Sequence, residues 1–416
     1  MDSFNKKQKD AFEAMINGHN VFITGPGGSG KSHVINYFVN YFKTNLEKKD
    51  EKIHVTSSTG LSSLLINGTT INQYAGIGVF DKENEYYVKR INRNKPIRES
   101  WLNTKTLIID EISMISSNFF EKLDLLAQKI RKNKSPFGGI QIILSGDFLQ
   151  LPPVKSTNFC FESFSWDITI QKTFYFNEII RQKEVSFQNV LNKIRIGVVD
   201  DEVRKTIDSC YKRKLENKDG IIPTLLFSLK DMVKTYNEEK LNDLIDKDNE
   251  KQLYESKPGY IELINHQYSN IDDKILMTKY SQVMLNVNMP EEGLANGSRG
   301  VIIGFSFNEY KNPIVQFLDG KILEVKPHDY KIEEANESVI KRQIPLIHAW
   351  AITIHKAQGM SLEYIQTDIG QSIFEYGQAY VVLSRIRSLE GLSLINIDYS
   401  KIKAHPKIIE FYNKLT

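Results

Sequence analysis

Residues Ile23 to Ser32, "ITGPGGSGKS", satisfy the pattern G-x-x-x-x-G-K-[ST] from Gly25 to Ser32. The apolar run "NVFI" precedes them, and "SHVINYFVNYFKTNL", apolar at helical spacing, follows. Strand, glycine-rich turn and helix in that order turn backbone N–H groups inward around a phosphate. The helix N-terminus adds a dipole that favours an anion. Gly25, Pro26, Gly27, Gly28, Ser29 and Gly30 form the expected cradle. Lys31 is placed to reach the β- and γ-phosphates, and the Ser32 hydroxyl to bind Mg²⁺. ATP and Mg²⁺ are the cofactors these residues imply.

Three more apolar bursts follow in the first 150 residues: "KIHVTSS", "KTLIIDE" and "IQIILSGD". Helical patterns such as "SNFFEKLDLLAQKIRK" lie between them. The alternation predicts an α/β fold, a parallel sheet with helices on both faces. Ligands in such sheets bind at the carboxyl ends of the strands, where the small and acidic residues fall. "TLIIDE" ends there in Asp110 and Glu111. One carboxylate can hold the metal's water shell, and the next can orient and deprotonate an attacking water. A glutamate base favours hydrolysis over transfer to a substrate. "LSGDFLQLPPV" brings Gln150, whose neutral, bidentate amide can touch a γ-phosphate or the water. Gln8, about a turn into the first helix, is a candidate for reading an adenine edge. Arg181 in "NEIIRQ" and Arg385 in "YVVLSRIRS" are candidate guanidinium donors, a contribution worth roughly 10³–10⁵ in rate where it operates.

The alternation pauses from Ile77 to Lys105. From Lys82 to Lys105 seven basic residues stand against three acidic ones, with Tyr86, Tyr87 and Trp101 among them. Either the segment is a solvated surface excursion, or its cations track phosphates while its rings stack on bases. After Pro152-Pro153 a second α/β domain is expected, interrupted from Met289 to Gln343 by short strands that suggest a small antiparallel barrel. The charged stretches Asn217–Gly220 and Asp246–Ser256 are expected to be loops. The expected domains are 1–153 with the insertion at 77–105, 154–288, the barrel at 289–343, and 344–416.

The chain has 416 residues, 41% hydrophobic and 25% charged, with a formal charge of +3. That charge is too small to demand a nucleic-acid partner by itself. Cys160 and Cys210 have no metal or redox spacing and are expected to be reduced thiols. No secretory signal and no apolar run of about 20 residues is present, so a soluble intracellular protein, nuclear or cytoplasmic and away from membranes, is expected.

Several segments together resemble the Pif1-like group of superfamily 1 helicases, over nearly the whole chain. Ile109–Val154 carries "IDEISMI", "FFEKLDLLAQKIR" and "PFGGIQIILSGDFLQLPPV", similar to the family's signature block between motifs II and III. "STGLSSLLINGTTINQYAGIG" resembles motif Ia and its continuation, and "QVMLNVNMPEEGLANGSRGVIIGF" the strand entering an SH3-like subdomain. "PLIHAWAITIHKAQGMSL" resembles motif V and "GQAYVVLSRIRSLEGL" motif VI.

The resemblance implies two RecA-like domains, a wedge insertion in the first and an SH3-like insertion in the second. It makes Gln8 the adenine-reading glutamine, and Arg181 and Arg385 the two γ-phosphate arginines. Thr59, Asn72, Gln73, Thr353, His355 and Lys356 fall on nucleic-acid-facing loops; Gln358 and Gly359 fall where ATP and DNA meet. The implied activity is 5′ to 3′ translocation on single-stranded DNA and unwinding of forked duplex by a monomer, in replication, recombination or repair. Asn72 departs from the pattern by standing where the family usually has histidine. The chain also begins close to the helicase core, so functions housed in an N-terminal extension are not assumed. Two other activities fit the same motifs: a nucleotide-gated clamp on single strands, and an RNA-directed motor.

Overall fold

The computed structural model describes residues 4–45, 51–58, 62–63, 66, 68–78, 80–153, 156–215, 222–247, 249–258, 271–294, 296–334 and 337–415. The chain divides into two compact units: Met1–Lys205 with Phe374–Ser384 and Tyr399–Thr416, and Thr206–Ile373 with Arg385–Asp398.

The first unit is built on six strands: β1 (Val21–Thr24), β2 (Lys52–Ser57), β3 (Thr69–Thr70), β4 (Thr104–Asp110), β5 (Gln141–Gly146) and β6 (Lys172–Tyr175). They run parallel in the order β3-β2-β4-β5-β1-β6. The four apolar bursts are therefore four strands of one sheet. Alternate residues face opposite layers, as the strand period of two requires. Val21, Ile23, Ile108 and Ile143 pack on Phe12 and Met15 of α1 (Lys6–Ile16) and on Val34 and Phe38 of α2 (Lys31–Asn45). Phe22, Leu107, Ile109, Ile142 and Leu144 pack on Phe120, Leu123 and Ala127 of the helix Ser117–Arg131. Strand β6 lies beyond Pro152-Pro153 yet pairs with β1, so the chain returns to the first sheet after the two prolines. The helix Pro406–Asn413 also belongs here, with Ile408 and Tyr412 in the core.

The insertion is a pair of helices, Asn84–Arg93 and Lys95–Asn103. Asn94 separates them, accepting the Ile97 N–H at 3.3 Å, and Pro96 sits in the first turn, where its missing N–H costs nothing. Two of the three rings that the strand-binding alternative would stack on bases are not available for it. Tyr87 and Trp101 are fully buried, while Tyr86 is half exposed. Tyr87 and Ile91, four residues apart, form the apolar stripe of an otherwise charged helix and pack into the core. Tyr87 accepts the Asp81 and Lys82 N–H groups and donates to Asp81 Oδ1, each at 3.1 Å. Trp101 Nε1 donates to Ala75 O at 3.2 Å. These rings fasten the insertion to the sheet layer.

In the second unit β7 (Thr224–Phe227), Ala351–Thr353, Ile365–Ile369 and Leu392–Ile397 form a parallel four-stranded sheet. An antiparallel five-stranded sheet runs Ile322–Glu324, Pro313–Phe317, Arg299–Phe305, Gln282–Leu285, Leu346–His348. It covers a core of Met277, Val283, Ile302, Val315 and Phe317. This sheet draws strands from beyond both ends of 289–343. Of the two expected loops, 217–220 lies outside the described residues. The other contains a strand, Lys251–Glu255, paired antiparallel with Lys274–Thr278. Its alternation buries Tyr254 between exposed Leu253 and Glu255, a period of two that its charges conceal.

Candidate nucleotide and nucleic-acid site

At the carboxyl end of β1 the loop Gly25–Gly30 leads into α2. Lys31 Nζ donates to Gly25 O at 2.8 Å and Pro26 O at 3.0 Å. Burial pulls the Lys31 pKa down, against the Asp147, Glu111 and Asp110 carboxylates. Gly28 has φ +84, and a Cβ there would lie 2.5 Å from Arg181 Cβ. At Gly30, φ +85, it would meet Gln8 Nε2 at 2.7 Å. These two close approaches bring Arg181 and Gln8 to the loop. Ile180 N–H donates to Gly28 O at 2.8 Å, which fixes the Arg181 segment alongside it. Gln8 is buried; its Oε1 accepts Asn5 N–H at 3.1 Å in a capping box, and its Nε2 donates to Ser29 O at 3.4 Å. Ser32 is exposed at the helix start.

Asp110 ends β4 and is buried, which raises its pKa, while Lys31 pulls the other way. Glu111 follows in the left-handed region, φ 52 and ψ 46. That conformation is uncommon for a non-glycine residue and costs about 1–3 kcal/mol, a cost found where a side chain must be aimed. The Glu111 carbonyl accepts the Ser58 hydroxyl at 2.9 Å and Met114 N–H at 3.3 Å, which holds the turn. Gln150 follows β5; it is buried, and its Oε1 has no partner among the described residues. Its N–H donates to Asp147 O at 3.0 Å. Arg181 Nη1 donates to Ser384 O at 3.0 Å. Lys31, Asp110, Glu111 and Gln150 thus stand at the ends of three neighbouring parallel strands.

A model of the PIF1-like helicase family matches residues 3–205. The ATP-dependent DNA helicase PIF1 of Xenopus laevis is 37% identical over 98% of this chain, which spans 64% of that relative's length. A crystal structure of Pif1 helicase from Candida albicans superposes with a TM-score of 0.87 at 34% identity, covering 100% of both chains. The chain belongs to the PIF1-like helicase family. A Bacteroides Pif1 structure, in complex with ADP-AlF3 and single-stranded DNA, matches with a TM-score of 0.70 at 26% identity, covering 99% of this chain and 96% of that one.

The PIF1-like resemblance placed further residues on loops that face nucleic acid. Thr59 lies outside the described residues. Asn72 Nδ2 donates to Gly78 O at 2.7 Å, closing its own loop, and Gln73 N–H donates to the Thr70 hydroxyl at 3.2 Å. In the second unit Thr353 is buried and caps the short helix Ile354–Ala357 by accepting Lys356 N–H at 3.1 Å. His355 is exposed beside it, and burial lowers the Lys356 pKa. Gln358 is buried, and Gly359 has φ +81. Arg385 is buried in this unit, its carbonyl accepting Leu362 N–H at 2.9 Å.

Sequence patterns missed three residues that crowd the nucleotide loops of this PIF1-like fold. Asp147 is fully buried and takes both arms of Arg195, Nε to Oδ2 at 2.9 Å and Nη2 to Oδ1 at 2.7 Å. Burial raises the Asp147 pKa, and Arg195 more than reverses this, so the carboxyl sits below its ordinary value. Tyr380 accepts the Gly27 N–H at 3.0 Å. A buried acid directly after a glycine at a strand end was the available signal for Asp147; nothing local marks the other two.

Proposed function

We propose that this chain is an ATP-dependent DNA helicase that translocates 5′ to 3′ on single-stranded DNA and unwinds forked duplex, acting as a monomer inside the cell. The convergence of Lys31, Asp110, Glu111 and Gln150 at the ends of three parallel strands carries the proposal. It supplies a phosphate cradle, a metal-facing acid, a base for water and a γ-phosphate contact within one edge. The DNA helicase name of the Xenopus laevis relative and the DNA-bound Bacteroides structure support the choice of nucleic acid.

No group of three His, Cys, Asp or Glu side chains among the described residues is placed to hold a metal. The donor set fits a hard cation that keeps most of its waters, as Mg²⁺ does, with the Ser32 hydroxyl and Asp110 supplying oxygens. Mg²⁺ would neutralise charge on the β- and γ-phosphates. Lys31 would leave the Gly25 and Pro26 carbonyls for those phosphates, Glu111 would take a proton from water, and Gln150 would register the γ-phosphate. Arg181 would add a guanidinium, and the family resemblance gives Arg385 the second. The exposed cations of the insertion would hold a strand at the fork.

ATPase rates with single-stranded DNA, single-stranded RNA or neither test the proposal, together with unwinding of 5′-tailed against 3′-tailed duplexes. DNA-stimulated turnover and 5′-tail unwinding are expected. Stimulation by RNA alone would make it an RNA motor, and tight binding with negligible turnover a clamp.

A further inference from the structure

The Tyr412 hydroxyl lies behind the phosphate loop, fully used. It donates to Asp147 Oδ1 at 3.1 Å and accepts Phe148 N–H at 3.1 Å. The Thr24 hydroxyl is 2.6 Å away. A phenol has one proton, and Asp147 is held ionised by Arg195, so Thr24 must donate to Tyr412. Thr24 is the last residue of β1, directly before Gly25. Asp147 shapes the turn that carries Gln150: its Oδ1 accepts Leu149 N–H at 3.1 Å and its carbonyl accepts Gln150 N–H. One oxygen therefore joins the strand entering the phosphate loop to the turn presenting Gln150, from a helix outside both motifs. Arg195 braces the cluster, its guanidinium carbon 4.9 Å from the Tyr412 ring centroid and its Nη1 donating to Tyr175 at 2.9 Å.

We propose that Tyr412 is a positioning residue that sets Gln150 against the phosphate loop, so that the helix Pro406–Asn413 takes part in telling ATP from ADP. This rests on the proposed ATPase reading and adds to it a residue that touches no substrate. In that reading ADP is held by the phosphate loop and Gln8, neither of which needs Gln150. Only the γ-phosphate needs Gln150 in register, so loss of the tether should fall on ATP.

Tyr412→Phe keeps the ring and removes the oxygen. The test measures affinity for Mg-ADP and for the β,γ-imido analogue of ATP, and kcat and KM with single-stranded DNA, in Tyr412→Phe, Gln150→Ala and the double variant. Tyr412→Phe is expected to keep ADP affinity within about twofold and to lose about tenfold in analogue affinity and in kcat, the size of one buried hydrogen bond left unmade. The double variant should be no worse than Gln150→Ala, because the two act through each other. Thr24→Val, which removes the donor from the other side, should repeat the pattern and serves if Tyr412→Phe does not fold. Equal losses for both nucleotides, no loss for either, or additive effects would overturn the proposal. A wild-type protein without DNA-stimulated turnover would refute the helicase reading and leave the two affinities to decide this one.

Discussion

The edge of the sheet that carries Lys31, Asp110 and Glu111 and the helical insertion at 84–103 were both marked in the sequence by chemically suggestive residues. The structure treats them differently. At the sheet edge the marked polar groups gather around one loop, as their positions at strand ends require. In the insertion two of the three marked rings turn inward and become core. Motifs at strand ends constrain backbone as well as composition, so they place side chains. A mixture of aromatic and basic residues constrains only composition, and helical periodicity decides which face each residue takes.

Lys31→Ala should have the largest effect, abolishing ATP hydrolysis and weakening nucleotide binding while leaving the fold intact. A kcat within tenfold of wild type would remove the contrast by making the edge as dispensable as a surface. In the insertion the contrast predicts a split between a buried ring and an exposed one. Trp101→Ala should destabilise the protein by about 3–5 kcal/mol in denaturant unfolding, whereas Tyr86→Ala should stay within about 0.5 kcal/mol. Similar losses at both would mean that Tyr86 is also structural. Alanine at Arg181 or Arg385 should lower kcat by on the order of 10², with DNA affinity in the absence of nucleotide unchanged. Loss of DNA affinity with kcat kept would move that arginine to the strand-binding face. The smallest effect on turnover is expected from Lys89, Arg93, Lys95 and Arg98, all exposed on the insertion. Replacing the four with alanine should spare DNA-stimulated ATPase activity and reduce unwinding several-fold, since in the proposed function they would hold the strand by charge alone. Replacing the whole segment would be a poorer test, because it would also strip Tyr87, Ile91 and Trp101 from the core.

Four of the six strands of the first sheet were legible because each is a short apolar run ending in small or acidic residues. The helices between them were legible from their period. The pairing of Asp147 with Arg195 and Tyr412 was not, because these contacts join positions 48 and 265 residues apart. No local pattern records such a distance. Strand β6 was hidden by the prolines before it, which mark a turn but not the end of a sheet. Thr353 was legible as a motif residue, yet its hydroxyl is engaged in capping a helix, an arrangement that only the backbone reveals.

Glu111→Gln, assayed for nucleotide affinity and single-turnover hydrolysis in the presence of single-stranded DNA, decides whether these strand ends form a hydrolytic site. The change keeps the size of the side chain and the left-handed turn but removes the group that would take a proton from water. ATP should bind with wild-type affinity and remain unhydrolysed, with turnover lowered by at least about 10², the lower end expected for a general base. Hydrolysis at a rate close to wild type would contradict the assignment of Glu111 and, with it, the account of this edge as a hydrolytic site.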